Sequence, residues 1–94
     1  MRTIRPTTRF RRDFKREKKG RHRDQVDGLL KAAVDLLADD KALPPSYADH
    51  PLSGKWNDCC DCHLLPDLVL IYRKPDKDTL DLVRLGSHSE LFRK

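Results

Sequence analysis

Three of the four histidines lie outside the helical patterns of the chain, and their spacing suggests proton-transfer chemistry. Only Leu-Leu-Pro separates His63 from Asp67. His50 precedes a proline, and His88 follows the last strand-like run. Because histidine titrates near neutral pH, one imidazole can accept a proton while another donates one. A carboxylate can orient an imidazole, so we expect these four side chains to converge at one site.

The element best suited to position these groups is the strand candidate at residues 68–73, which contains the unbroken apolar run Leu-Val-Leu-Ile-Tyr. Such a run is typical of a strand buried on both faces. Further strand candidates lie at residues 58–65 and 79–85, and short connectors rich in turn-forming residues join the three. These connectors predict an antiparallel meander. Its first turn would carry Asp67, and the chain beyond the third strand, with His88, would return to that turn.

The N-terminal half predicts a short strand and two helices. Residues 2–6 are interpreted as an edge strand that a proline closes. A first helix is expected from an N-cap at Thr8 to Lys19, with Gly20 as its C-terminal cap. A second helix follows the apolar stripe of residues 26–37. Because the link between them is short, the two helices should form an αα-hairpin.

The remaining segments complete an α+β domain over residues 1–94. Prolines exclude a helix from residues 43–57, and the aromatic side chains there favour a long ordered loop. Ser87 is placed to cap a final helical turn through Phe92. The predicted fold is therefore a short N-terminal strand, an αα-hairpin packed on one face of an antiparallel sheet, and a short C-terminal helical turn.

Arginine adds a phosphate-binding function to the predicted site. Arg84 is the only arginine on the third strand candidate, where it would share a face with Leu80 and Leu82. A guanidinium binds phosphate with paired donors and stabilises charge that develops during displacement. Acid, base and arginine together can transesterify an RNA phosphodiester: a base activates the 2′-hydroxyl, and an acid protonates the departing 5′-oxygen. Arg73, which ends the central strand, is a second predicted phosphate contact.

A metal site is the alternative for the segment that contains Cys59, Cys60, Cys62 and His63. On a strand, alternate side chains point to opposite faces, so these four potential ligands would be divided between two faces. The sequence holds no other cysteine that could complete a tetrahedral site of the usual spacing. We therefore predict no metal, no cofactor and reduced thiols. A further alternative is that each histidine only satisfies a local hydrogen bond.

Charge and hydropathy limit the possible locations and partners. No apolar run approaches the roughly 20 residues of a membrane helix, and the N-terminus lacks the apolar core of a signal peptide. We therefore expect a cytoplasmic protein. Residues 1–23 contain eleven Lys or Arg against two acidic residues. Such a segment favours a polyanion or an acidic protein as partner, although an ordinary solvated helix face would look the same.

Three sequence elements resemble the YafQ branch of the RelE toxin superfamily. The elements are H-P-L-x-G at residues 50–54, H-x-x-P-D at residues 63–67 and R-x-G-x-H-x-x-L-F at residues 84–92. In order and spacing the resemblance extends over nearly the whole chain. It implies a RelE-like fold and a bacterial toxin of a toxin–antitoxin system, an endoribonuclease that cuts mRNA in the ribosomal A site without a metal.

The resemblance also implies roles for individual residues. The catalytic set is His50, His63, Asp67 and His88. His88 would be closest to the proton-transfer chemistry. Phe92 matches an aromatic residue near the active site, and Arg84 matches an arginine that contacts phosphate. Cys60 and Leu68 depart from the pattern, since many relatives carry an arginine and an aromatic residue there.

The basic N-terminal helix acquires expected partners through this resemblance. It would contact ribosomal RNA through the side chains of Arg9, Arg11, Arg12, Lys15, Arg16, Lys18 and Lys19. An acidic cognate antitoxin could cover part of the same surface. The alternative function is a non-catalytic RNA- or protein-binding module on the same scaffold.

Overall fold

The structure, a computed structural model, describes residues 1–92 of the chain. Its elements follow one another as β1 (Thr3–Pro6), α1 (Thr8–Glu17), α2 (Val26–Ala38), β2 (His50–Pro51), β3 (Cys60–Leu65), β4 (Leu68–Arg73), β5 (Thr79–Gly86) and α3 (His88–Leu91). The predicted α+β fold is confirmed.

The five strands form one sheet in the order β1-β5-β4-β3-β2. The predicted antiparallel meander of β3, β4 and β5 is confirmed, and β1 lies at the edge, as expected. However, β1 runs parallel to β5, with Ile4 opposite Leu80, so the sheet is mixed and not wholly antiparallel. A parallel pair needs a long crossover connection, and here the chain between β1 and β5 contains both helices and the strands β2, β3 and β4.

The two helices begin and end close to their expected positions. Thr7, not Thr8, is the N-cap of α1, and its hydroxyl accepts a hydrogen bond from the backbone N–H of Phe10 at 3.0 Å. The helix ends at Glu17, before Lys19, and the predicted cap Gly20 lies in the turn that follows. These differences shorten α1 by a turn at most, and they leave the αα-hairpin intact.

The sheet has a separate apolar cluster on each face. The helix-side core contains buried residues of α1, α2 and the three central strands, among them Phe10, Leu37 and Leu70. The outer cluster on the opposite face contains Val69 and Ile71, with Leu91 of α3 packed on them. Because β4 contributes to both clusters, it is buried on both faces, as its unbroken apolar run predicted.

The loop at residues 43–57 is ordered, as expected, although it is not without regular structure. Two single 3₁₀ turns, at Pro45–Tyr47 and Gly54–Trp56, flank the two-residue strand β2. The sequence did not predict β2, because its two residues form a strand only by pairing with β3. In residues 1–92 no helix is long and apolar enough to span a membrane.

Candidate active site

Strand β3 presents two ionisable side chains to the outer face of the sheet. Cys62 and Leu64 belong to the helix-side core, so Asp61 and His63, which alternate with them, face the other way. The residues opposite Asp61 and His63 on β4 belong to the outer cluster, which agrees with this placement. The candidate site is therefore built on the face that α1 and α2 do not cover.

Strand β2 brings His50 to the same place. His50 pairs with Asp61 across β2 and β3, and directly opposed residues of an antiparallel pair project from the same face. The loop before it is tied to the sheet because the hydroxyl of Tyr72 donates a hydrogen bond to the carboxylate of Asp49. The position of His50 thus depends on β3 and β4 together.

His88 is the first residue of α3, and a capping box fixes that short helix. The hydroxyl of Ser87 accepts from the backbone N–H of Glu90 at 3.2 Å, and the Glu90 carboxylate accepts from the Ser87 N–H at 2.8 Å. The same carboxylate lies 3.1 Å from Nε of Arg16 on α1. Gly86 leaves the room for this contact, since a Cβ there would lie 2.8 Å from Nη2 of Arg16. Helix α1 therefore helps to hold the segment that carries His88.

Asp67 fixes both the backbone and the ring of His88. Its Oδ1 lies 3.1 Å from the backbone N of His88 and 3.0 Å from the ring Nδ1. These hydrogen bonds hold the pKa of Asp67 below its ordinary value, so the group is a carboxylate that can only accept. Nδ1 of His88 then carries a proton, and Nε2 is the nitrogen left to exchange one with a substrate.

His63 and Phe92 flank the ring of His88. The centroids of the His63 and His88 rings lie 5.0 Å apart in an edge-to-face arrangement. The Phe92 ring is 6.2 Å from that of His88 and packs against the outer cluster. The predicted grouping of His63, Asp67, His88 and Phe92 is therefore present in the geometry.

His50 lies beside a different carboxyl group. Nδ1 of His50 is 2.8 Å from Oδ1 of Asp61, but the angles of that contact do not suit a hydrogen bond. The angles do suit a hydrogen bond between Nδ1 and the carbonyl oxygen of Ala48, at 3.0 Å. Among the described residues Oδ1 of Asp61 is left without a hydrogen bond, although Asp61 is only 3% exposed. Burial raises the pKa of Asp61, and the positive charges of the three histidines of the site oppose that rise without cancelling it.

Asp61 is a further functional candidate, which was not predicted from the sequence. The sequence held a usable signal, because Asp61 lies two residues before His63 on a predicted strand and must share its face. Its partnership with His50 was hidden, since it depends on the pairing of β2 with β3. The site thus contains two imidazole–carboxyl pairs, His88 with Asp67 and His50 with Asp61, and His63 adjoins the first.

The two arginines predicted to bind phosphate are both engaged by buried carboxylates. Nε and Nη2 of Arg84 donate to Asp13 of α1 at 2.7 and 3.1 Å. Arg73 donates to Asp81 through Nε and Nη2, at 3.1 and 2.8 Å. A shift of register in the β4–β5 pairing also breaks the strand alternation that placed Arg84 with Leu80. Phosphate contacts by Arg84 and Arg73 stay predictions.

The basic residues of α1 and of the two positions that follow it are not equivalent. Arg16 is paired with Asp13, Glu17 and Glu90, and Lys18 with Asp27. No hydrogen bond or ion pair within residues 1–92 engages the side chains of the others, which are Arg9, Arg11, Arg12, Lys15 and Lys19. These five exposed cations are the members of the predicted set whose charge is available to an RNA.

The three cysteines are free thiols, divided between the two faces as the strand alternation predicted. Cys62 lies in the helix-side core, Cys60 packs against that core, and Cys59 lies in the outer cluster. In the described part of the chain no three His, Cys, Asp or Glu side chains are grouped as metal ligands. Cys60 and Leu68, the two departures from the family pattern, both face the helix-side core, away from His63.

Fold and site together define a class of protein: a small α+β domain in which histidines and aspartates, residue types that can transfer protons, lie together on one open face of the sheet. The family model described as the bacterial toxin of type II toxin–antitoxin systems, YafQ, matches residues 2–93. The chain belongs to this family of toxins. The resemblance inferred from the three sequence elements is confirmed.

Individual relatives agree with this assignment over nearly the full length. The mRNA interferase toxin YafQ of Escherichia coli strain K12 is 40% identical over 84 residues, which cover 88% of this chain and 87% of the relative. In the E. coli DinJ–YafQ complex, a chain 36% identical superposes with a TM-score of 0.84, covering 98% of this chain and 99% of that one. A copper-bound mutant toxin from Helicobacter pylori, 37% identical, gives a TM-score of 0.88 and covers 98% and 100%.

Proposed function

We propose that this chain is the toxin of a type II toxin–antitoxin system and inhibits translation as a ribosome-dependent endoribonuclease that cleaves mRNA in the A site. The observation that carries the proposal is His88, held by Asp67 through both its backbone and its ring, with His63 against it. The E. coli relatives are mRNA interferase toxins, which supports the same class of activity for this chain.

The reaction we infer is transesterification at a single phosphodiester. One imidazole takes the proton of the 2′-hydroxyl, and the 2′-oxygen attacks phosphorus to form a 2′,3′-cyclic phosphate. The bond from phosphorus to the 5′-oxygen breaks, and a second imidazole gives that oxygen a proton. His50, His63 and His88 each offer a ring for these steps, and Asp67 orients the ring of His88 through Nδ1. No step in this reaction needs a metal.

The open face of the site suits an mRNA strand that the ribosome presents to it. His50 and His88 are about half exposed, with side-chain exposures of 56% and 48%, so an RNA can reach them without any opening motion. The exposed cations of α1, which include Arg11, Arg12 and Lys15, lie on a separate element and would contact ribosomal RNA without reading sequence. The chemistry and the ribosome contact are then assigned to different surfaces.

A cognate antitoxin is the expected protein partner. The E. coli homologue is known as a DinJ–YafQ complex, in which a chain of the same fold is held by a second protein. We propose an equivalent partner for this chain, and an acidic one would complement its net charge of +5.

The test is to map mRNA ends after incubation with and without ribosomes. We expect cuts only on ribosomes, inside the A-site codon, with a cyclic phosphate on the upstream fragment and a 5′-hydroxyl on the downstream one. Cutting should continue in a chelator that removes zinc and other transition metals but leaves the Mg²⁺ that ribosomes require. His88→Ala should abolish cutting and growth arrest while antitoxin binding, which reports on the fold, is retained.

Other outcomes would each contradict part of the proposal. Cutting of free mRNA at the same rate would remove the ribosome dependence. Loss of cutting in that chelator, restored by one transition metal, would contradict the metal-free reaction. Growth arrest that persists in His88→Ala without cleavage would favour a non-catalytic RNA- or protein-binding module.

A further inference from the structure

A polar cavity of about 420 Å³ lies beside the candidate active site, between the α1–α2 turn and α3. Arg21 and His22 line it on the side of the turn, and Asp67, Ser87 and Ser89 line it on the side of the site. Its volume falls within the range of roughly 300–1,000 Å³ in which small ligands bind. Because the two serines flank His88, an occupant of the cavity would lie directly next to the reacting group.

An RNA strand approaching His88 meets a concentration of negative charge. Asp67 and Asp61 lie in the site, and within residues 1–92 neither is paired with a lysine or an arginine. Glu17 and Glu90 also line the cavity, where both are paired with Arg16. Phosphates would be repelled there unless a cation offsets the carboxylates. The proposed function therefore requires at least one basic side chain close to His88 whose charge is not already neutralised.

The arginines nearest to the site do not meet that requirement, with one exception. Arg84 and Arg16 share the carboxylate of Asp13, and Arg16 also contacts Glu90. Within residues 1–92 Arg21 makes no ion pair with a carboxylate; its one polar contact is from Nε to Nε2 of His22, at 3.2 Å. That contact holds the side chain while the terminal nitrogens, Nη1 and Nη2, remain without a partner among these residues.

Arg21 is also close enough to act on the site electrostatically. The pKa of Asp67 is held low chiefly by its hydrogen bonds to His88, and the charge of Arg21 contributes to the same effect. A guanidinium with both terminal nitrogens available suits the paired oxygens of a phosphate. The neighbouring Gly20 also lines the cavity and adds no side chain to fill it.

We propose that this cavity is a subsite for the RNA backbone, in which Arg21, oriented by His22, binds the phosphate adjacent to the one that is cleaved. The inference rests on the proposed ribonuclease function and extends it to a second phosphate of the same strand. The bound phosphate is an adjacent one because the cavity is lined by the serines on either side of His88 and not by His88. This subsite would bind mRNA, whereas the expected contact of α1 is with ribosomal RNA.

The experiment compares wild type, Arg21→Ala and Arg23→Ala in single-turnover cleavage of mRNA on programmed ribosomes. Arg23 is the matched control, since it is an exposed arginine of the same turn that does not line the cavity. We expect Arg21→Ala to lose about tenfold or more in cleavage efficiency, as for removal of a hydrogen bond to a charged group. Arg23→Ala should remain within about twofold of wild type, because surface substitutions of this kind have small effects.

A modified substrate separates a phosphate contact from a general structural effect. The phosphate on each side of the cleaved one is replaced in turn by an uncharged methylphosphonate. The sugar on the 5′ side of the methylphosphonate is 2′-deoxy, which keeps the linkage stable and leaves the attacking 2′-hydroxyl in place. At one of the two positions wild type should lose about the same factor as Arg21→Ala does on normal mRNA. Arg21→Ala should lose nothing further on that substrate, because both changes remove the same contact.

The outcomes are distinguishable. Cleavage by wild type with equal rates for Arg21→Ala and Arg23→Ala would overturn the subsite and leave the proposed function standing. A loss in Arg21→Ala that adds fully to the loss from the methylphosphonate at both positions would also overturn it, since the arginine would then act elsewhere. If wild type does not cleave mRNA on ribosomes, both the function and the subsite fail.

Discussion

Replacing Asp13 with asparagine tests whether a buried carboxylate on α1 holds the sheet and the helix together. Asp13 is 3% exposed, and its two oxygens accept from Nε and Nη2 of Arg84, Nη1 of Arg16 and the backbone N–H of Leu85, at 2.7 to 3.1 Å. Asparagine keeps the shape but removes the charge and one of the two acceptors. The substitution therefore leaves the guanidinium of Arg84 buried without its counter-charge.

The expected loss of stability follows from the burial of both partners. The side chain of Arg84 is 11% exposed and that of Asp13 is 5% exposed, so water cannot replace the lost carboxylate. Breaking such a pair from one side costs about 3–5 kcal/mol. Arg16, with a side chain 41% exposed, recovers its solvation, so we expect the lower end, about 3 kcal/mol. For a chain of this size that lowers the Tm by about 12–24 °C.

Urea unfolding, followed by the fluorescence of the single tryptophan, Trp56, measures the free energy of unfolding. Both variants are made in a His88→Ala background so that cells tolerate expression. Asp35→Asn is the control, because Asp35 forms an exposed i,i+4 ion pair with Lys31 and should lose at most about 0.5 kcal/mol. If Asp13→Asn is as stable as Asp35→Asn, the buried pair does not stabilise the fold and the reasoning is wrong.

The dependence on pH gives a second check of the Asp13 prediction. Burial alone would raise the pKa of Asp13, but hydrogen bonds from Arg84 and Leu85 outweigh it and lower the pKa from its ordinary value of 3.8. A carboxyl whose pKa is lowered by folding stabilises the fold above its unfolded pKa and loses that contribution as the pH falls through the folded pKa. The difference between wild type and Asp13→Asn should therefore be complete at pH 7 and shrink below about pH 3.8.

Two further predictions concern other buried groups. Asp61→Asn should raise the free energy of unfolding at pH 7, because burial raises the pKa of Asp61 and its ionised form is unfavourable in the fold. The gain should vanish below the unfolded pKa of about 3.8. Urea unfolding at pH 7 and at a pH below that value measures the difference. Cys59 and Cys62, whose pKa values are raised by burial to about 11 and about 12, should resist alkylation by iodoacetamide at pH 8 in the native protein and react once it is unfolded, as mass spectrometry will detect.

Results of the opposite kind would contradict these two predictions separately. A lower stability of Asp61→Asn at pH 7 would mean that an ion pair with His50 outweighs the burial of the carboxyl. Rapid alkylation of Cys62 in the native protein would mean that the helix-side core opens readily on the timescale of the reaction. Cys60, which is half-buried, is the thiol that should react first.

Much of the site could be predicted because its pieces are local in sequence. The apolar run of β4 and the short connectors on either side of it fix the meander, and the meander brings His88 to Asp67. The alternation of β3 places Cys62 and His63 on opposite faces of the sheet. This separation removes most of the argument for a metal site in that segment. These features depend on patterns of a few residues, which a sequence displays directly.

What could not be predicted depends on pairings between distant segments. Asp13 appeared to be one of two acids in a basic helix, and its partner Arg84 is 71 residues away. The parallel pairing of β1 with β5 and the two-residue strand β2 likewise exist only through their partners. Neither propensity nor periodicity records such contacts, so the engagement of Arg84 by a carboxylate was invisible in the sequence.

The two imidazole–carboxyl pairs also show why residue types alone could not separate acid from base. Asp67 is half exposed and donors hold its pKa below the ordinary value, whereas Asp61 is buried and its pKa is raised. The carboxylate of Asp67 lies within hydrogen-bond distance of the ring Nδ1 of His88, whereas Oδ1 of Asp61 has no hydrogen bond among the described residues. Two carboxyl groups whose pKa values are displaced in opposite directions by their surroundings can support different roles in acid–base chemistry. The distinction arises from burial on β3, so it follows from the sheet and not from the spacing of the histidines.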